Sequence, residues 1–181
     1  MTNNKPDIIV LSGSLRTGSS THAVISEVMA YAPGFANISQ YDNIGILPHF
    51  NDSKEPPEEI VEFRNRLRAA DGILICTPEY AFGVPGSLKN ALDWTVSSGE
   101  FVNKPVALIT AATGGDKAHA SLLLTLGALS ANVADDARLL ISFIRAKMDE
   151  QGGIKDVDTL RAIHNVVDAL VRTIVEEDGE L

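Results

Sequence analysis

Four short apolar runs punctuate the chain and predict the strands of a sheet. Isoleucine, valine and leucine dominate these runs, which cover residues 8–11, 73–76, 106–109 and 139–143. Each run has the length of a strand, and its unbroken apolar character is typical of strands buried on both faces. A fifth, weaker strand is predicted near residues 36–41.

Helical periodicity fills the segments between the predicted strands. Apolar side chains recur there at intervals of three and four residues, as they do on the buried face of a helix. The predicted helices cover residues 20–31, 58–70, 86–96, 117–131 and 157–176. Strand and helix therefore alternate along the chain, which predicts an α/β fold with a parallel sheet covered by helices on both faces.

Length and charge narrow the class of protein. With 181 residues the chain is expected to form one domain, residues 1–181. The formal net charge of -9 argues against a nucleic-acid partner, because phosphate backbones require clustered Lys and Arg. The single cysteine, Cys76, suits a reducing compartment, and no apolar stretch is long enough for a membrane span. We therefore expect a cytoplasmic protein that does not bind membranes.

Four histidines and the cysteine are candidate metal or redox groups, and both roles are disfavoured. The histidines are scattered without ligand spacing, so we predict no metal site. Cys76 ends an apolar run and is predicted to be a small buried residue rather than a redox thiol.

The loop after the first predicted strand offers hydroxyl groups and one arginine to an anion. In parallel sheets ligands bind beyond the carboxyl ends of the strands, which here follow Leu11, Cys76 and Ile109. The first loop contains Ser14 and Arg16, and residues 19–21 are Ser-Ser-Thr at the start of a helix. Such a helix N-terminus attracts phosphate, although the same residues could form a capped turn that binds nothing.

Two common nucleotide-binding patterns do not match this loop. The dinucleotide pattern needs three glycines at G-x-G-x-x-G spacing, which Gly13 and Gly18 do not provide. The P-loop requires Lys after its second glycine, where this chain has Ser19. A monophosphate is therefore favoured over ATP, GTP or a dinucleotide.

The loops after the next two strands could border a flat ligand. Residues 77–94 combine Pro and Gly turn signals with the rings of Tyr80 and Phe82, and Gly114 and Gly115 would let the backbone approach a ligand closely. Simple packing of the two aromatic rings in the interior is the alternative.

Together these loops resemble the NADPH-dependent FMN reductase family, which includes quinone, azo-dye and chromate reductases. The resemblance is carried by residues 13–19, with Gly-Ser-Leu-Arg and Gly-Ser, and by the longer motif at residues 77–94. It implies a flavodoxin-like three-layer sandwich with a five-stranded parallel sheet in the order 2-1-3-4-5, FMN as cofactor and NADPH or NADH as co-substrate. It also implies a homodimer or homotetramer. Electrons would pass through FMN to a quinone, flavin, azo compound or metal oxyanion.

The resemblance also implies which residues hold the cofactor, and it assigns no side chain a chemical step. The phosphate would be held by Ser14, Arg16, Ser19, Ser20 and Thr21. The flavin rings would be bordered by Pro78, Glu79, Tyr80, Phe82, Thr113, Gly114 and Gly115. Ala81 departs from the family, because many members have Asn there. A flavodoxin-like electron carrier, and an interaction module without cofactor, are the alternatives.

Overall fold

The computed structural model describes residues 5–179, in which five parallel strands form one sheet in the order β2-β1-β3-β4-β5. The strands are β1 (Asp7–Ser12), β2 (Asn37–Gln40), β3 (Gly72–Thr77), β4 (Val106–Ala111) and β5 (Arg138–Ile141). The helices are α1 (Ser20–Tyr31), α2 (Glu58–Ala69), α3 (Gly86–Asp93), α4 (Asp116–Ala128) and α5 (Val157–Gly179). The predicted flavodoxin-like fold and strand order are confirmed.

The sheet separates two apolar cores, one on each face. Side chains alternate across a strand, so Ile8 and Val10 of β1 face α1 and α5, while Ile9 and Leu11 face α2 and α3. The central strands β1, β3 and β4 have almost fully buried side chains, as their unbroken apolar runs predict. This double burial places the carboxyl ends of the three central strands side by side.

The last strand differs from its prediction because it lies at the edge of the sheet. It ends at Ile141 rather than at Phe143, and Arg138 and Leu140 are exposed, so burial on both faces was wrong for this run. Beyond Ile141 the chain turns away, since Phe143 adopts a left-handed backbone (φ 53°) and its N–H donates to the carbonyl of Thr113 (3.1 Å). This turn carries the following segment across the end of β4.

Helices α3 and α4 each end three residues earlier than predicted. Helix α3 ends at Asp93, and beyond it Thr95 is still buried, as predicted, whereas Val96 is 65% exposed. Helix α4 ends at Ala128, before the predicted end at residue 131. Within residues 5–179, no helix is both long and apolar enough to cross a bilayer.

Candidate active site

The carboxyl ends of β1, β3 and β4 border a cavity of about 140 Å³. Its lining comes from the loops after these three strands and from a short 3-10 helix after β5. The lining residues are Arg16, Ser19, Ser20, Thr21, Pro78, Glu79, Tyr80, Ala111, Ala112, Thr113, Ile144 and Arg145. The cavity is smaller than the pockets of about 300 to 1,000 Å³ that enclose whole ligands.

The first two loops approach each other closely at Gly13. Its N–H donates to the carbonyl of Cys76 (2.8 Å), which extends the pairing of β1 with β3 beyond the strand ends. A Cβ atom at this position would lie 2.2 Å from Oγ1 of Thr77, so only glycine fits without a shift of β3. The glycine therefore serves the contact between the loops.

Ser19 begins the part of the first loop that faces the cavity. Its hydroxyl accepts a hydrogen bond from the N–H of His22 (3.1 Å), which makes it the N-cap of α1. Ser14, in contrast, does not line the cavity. Its hydroxyl accepts from the N–H of Arg16 (3.3 Å) and its own N–H donates to Oγ of Ser12 (3.2 Å), so Ser14 shapes the loop from within.

Thr21, which lines this cavity, carries an unusual polar atom. Its side chain is fully buried, and Oγ1 has no hydrogen-bond partner among the residues that the structure describes. A buried hydroxyl without a partner costs about 1 to 3 kcal/mol, so it indicates a missing acceptor or donor. The N–H groups in the first turn of α1 also lack partners within the helix, and those of Ser20 and Thr21 stay free of the cap that Ser19 supplies. The site therefore fits a phosphate oxygen.

Two arginines line the same cavity. Arg16 comes from the first loop, as predicted, and Arg145 comes from the 3-10 helix Ile144–Lys147 after β5, which the sequence analysis missed. Among the side chains described up to residue 177, no carboxylate lies within ion-pair distance of either guanidinium. The sequence gives one signal for Arg145, which is its position just after the last apolar run. That run forms β5, whose carboxyl end lies on the same edge of the sheet as the ends of the other strands. Two such cations suit a doubly charged phosphate.

Residues 80–83 form a tight two-residue turn, here called the aromatic hairpin. Tyr80 and Gly83 exchange backbone hydrogen bonds of 3.0 and 2.9 Å, and both intervening residues have positive φ, 49° at Ala81 and 61° at Phe82. Tyr80 is 52% and Phe82 is 79% exposed, so the alternative that these rings pack in the interior is wrong. Tyr80 borders the cavity, whereas Phe82 is not part of its lining.

The loop after β4 is fixed by hydrogen bonds from its neighbours. The N–H of Phe143 donates to the carbonyl of Thr113 (3.1 Å), and Oγ of Ser142 donates to the carbonyl of Gly114 (3.0 Å). Glu79 reaches across from the loop after β3 and accepts from the N–H of Gly115 (3.2 Å). Thr113 lines the cavity, whereas Gly114 and Gly115 are not part of its lining.

Two other titratable groups lie close to the strand ends but outside the cavity lining. Cys76 is completely buried, as predicted, and burial raises the pKa of its thiol well above the usual range. His119 shares a hydrogen bond of 2.9 Å between its Nδ1 and Oγ1 of Thr110, and burial, with a smaller contribution from Arg138, lowers its pKa. Both shifts favour the neutral forms of these side chains.

Known proteins resemble this chain over most of its length. Residues 6–146 match the family model described as NADPH-dependent FMN reductase. The chain is 33% identical to an NAD(P)H-dependent FMN reductase of Pseudomonas aeruginosa, over 90% of this chain and 92% of the relative. It is 30% identical to a quinone reductase of Escherichia coli K12, over 82% of this chain and 84% of the relative.

A solved structure gives the same result for the fold and for the class of protein. The flavoenzyme NAD(P)H:(acceptor) oxidoreductase FerB from Paracoccus denitrificans superposes with a TM-score of 0.82 and 28% identity. The match covers 94% of this chain and 98% of FerB. The chain is thus an oxidoreductase that uses FMN as cofactor and NADPH or NADH as co-substrate. It belongs to the NADPH-dependent FMN reductase family.

Proposed function

We propose that this protein takes reducing equivalents from NADPH or NADH and passes them through FMN to a small-molecule acceptor. The acceptor would be a quinone, a flavin, an azo compound or a metal oxyanion. The similar proteins include a quinone reductase and an NADPH azoreductase, which supports this range of acceptors. When bound, FMN supplies the redox chemistry, and the protein contributes binding, orientation and electrostatics.

The observation that carries the proposal is the buried, unpartnered hydroxyl of Thr21 beside the start of α1. In the proposed complex Thr21 Oγ1 and the N–H groups of Ser20 and Thr21 donate to the FMN phosphate. Arg16 and Arg145 neutralise its charge from two sides of the cavity. Ser14 and Ser19 hold the loop in this shape through their hydroxyls.

The flavin rings would lie over the loops after β3 and β4. Pro78, Tyr80 and Thr113 line the adjoining wall of the cavity, and the exposed Phe82 would cover one side of the rings. Gly114 and Gly115 would contact the rings through the backbone, next to Glu79. The open side next to the aromatic hairpin leaves room for a nicotinamide and then for the acceptor, one after the other.

We also propose that the whole chain forms one domain and that the protein is a homodimer or homotetramer in the cytoplasm. Leu124 of α4 is 78% exposed, which suits a face that another subunit covers. An electron carrier without direct NAD(P)H oxidation is not favoured, because the family and the similar proteins are NAD(P)H-dependent.

Binding of FMN and of riboflavin, followed by an acceptor screen, tests this function. Fluorescence titration of cofactor-free protein should give much tighter binding of FMN, because riboflavin lacks the phosphate. The FMN-loaded protein should then oxidise NADPH or NADH faster when benzoquinone or an azo dye is added. Equal binding of the two flavins, or NAD(P)H oxidation that no acceptor stimulates, would contradict the proposal.

A further inference from the structure

The carboxylate of Glu79 caps a helix that starts on a different loop. Its Oε2 accepts a hydrogen bond from the N–H of Ala118 (2.9 Å), and its Oε1 accepts from the N–H of Gly115 (3.2 Å). Gly115 is the N-cap residue of α4, and Ala118 is the third residue of that helix. In many helices two side chains of the helix itself satisfy these two donors. Here one side chain from the loop after β3 satisfies both.

Gly115 cannot provide the cap itself, which explains why the cap comes from elsewhere. Its φ of 101° is strained for any residue with a side chain. A Cβ atom there would also lie 2.8 Å from Cδ1 of Leu140 and 3.2 Å from Cγ2 of Thr110. A Ser or Asp at this position would therefore be strained, and Glu79 supplies the cap instead.

This contact joins two loops that both border the cavity. Glu79 lies between Pro78 and Tyr80, which line one side, and the capped helix follows Thr113, which lines another. If either loop moved, the distance between the two walls of the cavity would change. The two hydrogen bonds to Glu79 resist such a movement and so help to fix the relative position of the walls.

The same carboxylate places a negative charge at the cavity. The N-terminus of a helix carries a partial positive charge of about half an elementary charge, and Glu79 offsets it at α4. The neighbouring carboxylate of Asp116 is exposed and pairs with Lys117 (3.1 Å). Since negative charge near a flavin opposes the gain of electrons, the capping carboxylate would make FMN harder to reduce.

We propose that Glu79 is a positioning residue that holds the two cavity walls together and keeps the midpoint potential of bound FMN low. This inference rests on the proposed function, in which FMN occupies this cavity. The side chain exchanges no proton or electron with the substrate, and its effect passes through the backbone of residues 113–118 and through its charge.

Two variants test the hydrogen bonds and the charge of Glu79. Glu79→Gln removes the charge and keeps one side-chain oxygen as an acceptor, while an NH2 group that cannot accept from a backbone N–H replaces the other oxygen. We expect FMN binding within about threefold of the original protein and a less negative midpoint potential. Glu79→Ala removes both interactions, and we expect the Kd for FMN to rise by about fivefold or more. Glu59→Gln, on the exposed side of α2, is the matched control and should change neither quantity.

The experiment measures the Kd of FMN by fluorescence titration and the midpoint potential by spectroelectrochemistry, on variants whose far-UV circular dichroism shows that they are folded. If both Glu79 variants match Glu59→Gln in Kd and in potential, the inference is wrong while the proposed function stands. If the original protein takes up no FMN, the proposed function fails and the inference fails with it. If Glu79→Ala does not fold, Glu79→Gln decides the test. An unchanged midpoint potential of its bound FMN would then contradict the inference.

Discussion

The two ends of the candidate site are built differently. At the start of α1 the hydroxyl of Thr21 is fully buried, and Ser19 caps the helix. At the aromatic hairpin, residues 80–83, the rings of Tyr80 and Phe82 are 52% and 79% exposed. One end has a buried hydroxyl and a helix cap in place before any ligand arrives, and the other end presents exposed rings.

This difference suggests a division of roles between anchoring and access. A preformed phosphate site lowers the ordering cost of binding, so it can supply much of the affinity for FMN. An open ring site allows a nicotinamide and an acceptor to reach the same flavin in turn. Substitutions at the start of α1 should therefore change cofactor retention, while those at the hairpin should chiefly affect local stability and turnover.

The largest effect is expected from Arg16. Arg16→Gln removes a charged contact to the phosphate, which is worth about 1.5 to 3 kcal/mol, and the Kd for FMN should rise about 10- to 100-fold. Riboflavin binding, measured by the same fluorescence titration, should not change. Arg66→Gln, an exposed arginine on α2, serves as the control. A parallel loss of riboflavin binding would point to a misfolded loop instead of a lost phosphate contact.

Thr21→Val should affect the free and the FMN-bound protein in opposite directions. Removing a buried, unpartnered hydroxyl should stabilise the cofactor-free protein by about 1 kcal/mol, yet weaken FMN binding about tenfold. Urea unfolding without FMN and a titration with FMN give the two values. In Thr173→Val the lost hydroxyl donates to the carbonyl of Ala169 (3.0 Å), so that control should not be stabilised. Destabilisation of the cofactor-free protein by Thr21→Val would show that its hydroxyl already has a partner.

A smaller effect is expected at Ala81 in the aromatic hairpin. Its φ of 49° costs a residue with a Cβ atom about 1 kcal/mol, and Gly avoids that cost. Ala81→Gly should raise the free energy of unfolding by about 0.5 to 1 kcal/mol, measured by urea unfolding. Gly34→Ala is a control at a position with open space around it. No gain at Ala81 would show that the turn is relaxed in solution.

The smallest effect on FMN binding is expected at Phe82. Because its ring lies mostly in solvent, Phe82→Ser should change the Kd for FMN by less than about threefold. The rate of NADPH oxidation should fall more than the affinity does. A loss of affinity as large as that of Arg16→Gln would remove the distinction between the two ends of the site.

Much of the fold follows from the apolar runs, and the exceptions have local causes. The three central strands are buried on both faces, so their continuous apolar sequences predict them well. The run at residues 139–143 has the same apolar character, yet it forms an edge strand. The apolar pattern alone cannot distinguish an edge strand from a central one. Its end depends on the hydrogen bond from Phe143 to Thr113, a contact between distant parts of the chain.

The candidate site is predictable in outline, whereas its pairwise contacts are not. The loop order places Arg16, Thr21 and Tyr80 on one sheet edge, and the structure brings them to one cavity. Arg145 was missed because no motif surrounds it. The capping by Glu79 depends on how close the loop after β3 comes to the start of α4, and this distance cannot be read from the sequence. The left-handed backbone at Ala81 suits the Asn that the family resemblance implies there, since Asn tolerates this conformation well.

Anaerobic reduction of the FMN-loaded protein tests the central claim most directly. Purified protein is incubated with FMN, freed of excess cofactor and mixed with NADPH or NADH while flavin absorbance near 450 nm is recorded. The account predicts retained FMN whose absorbance bleaches within seconds with at least one donor and returns when a quinone is added. Retained FMN that stays oxidised with both donors would contradict the proposed reductase activity, and a colourless protein would contradict the phosphate site itself.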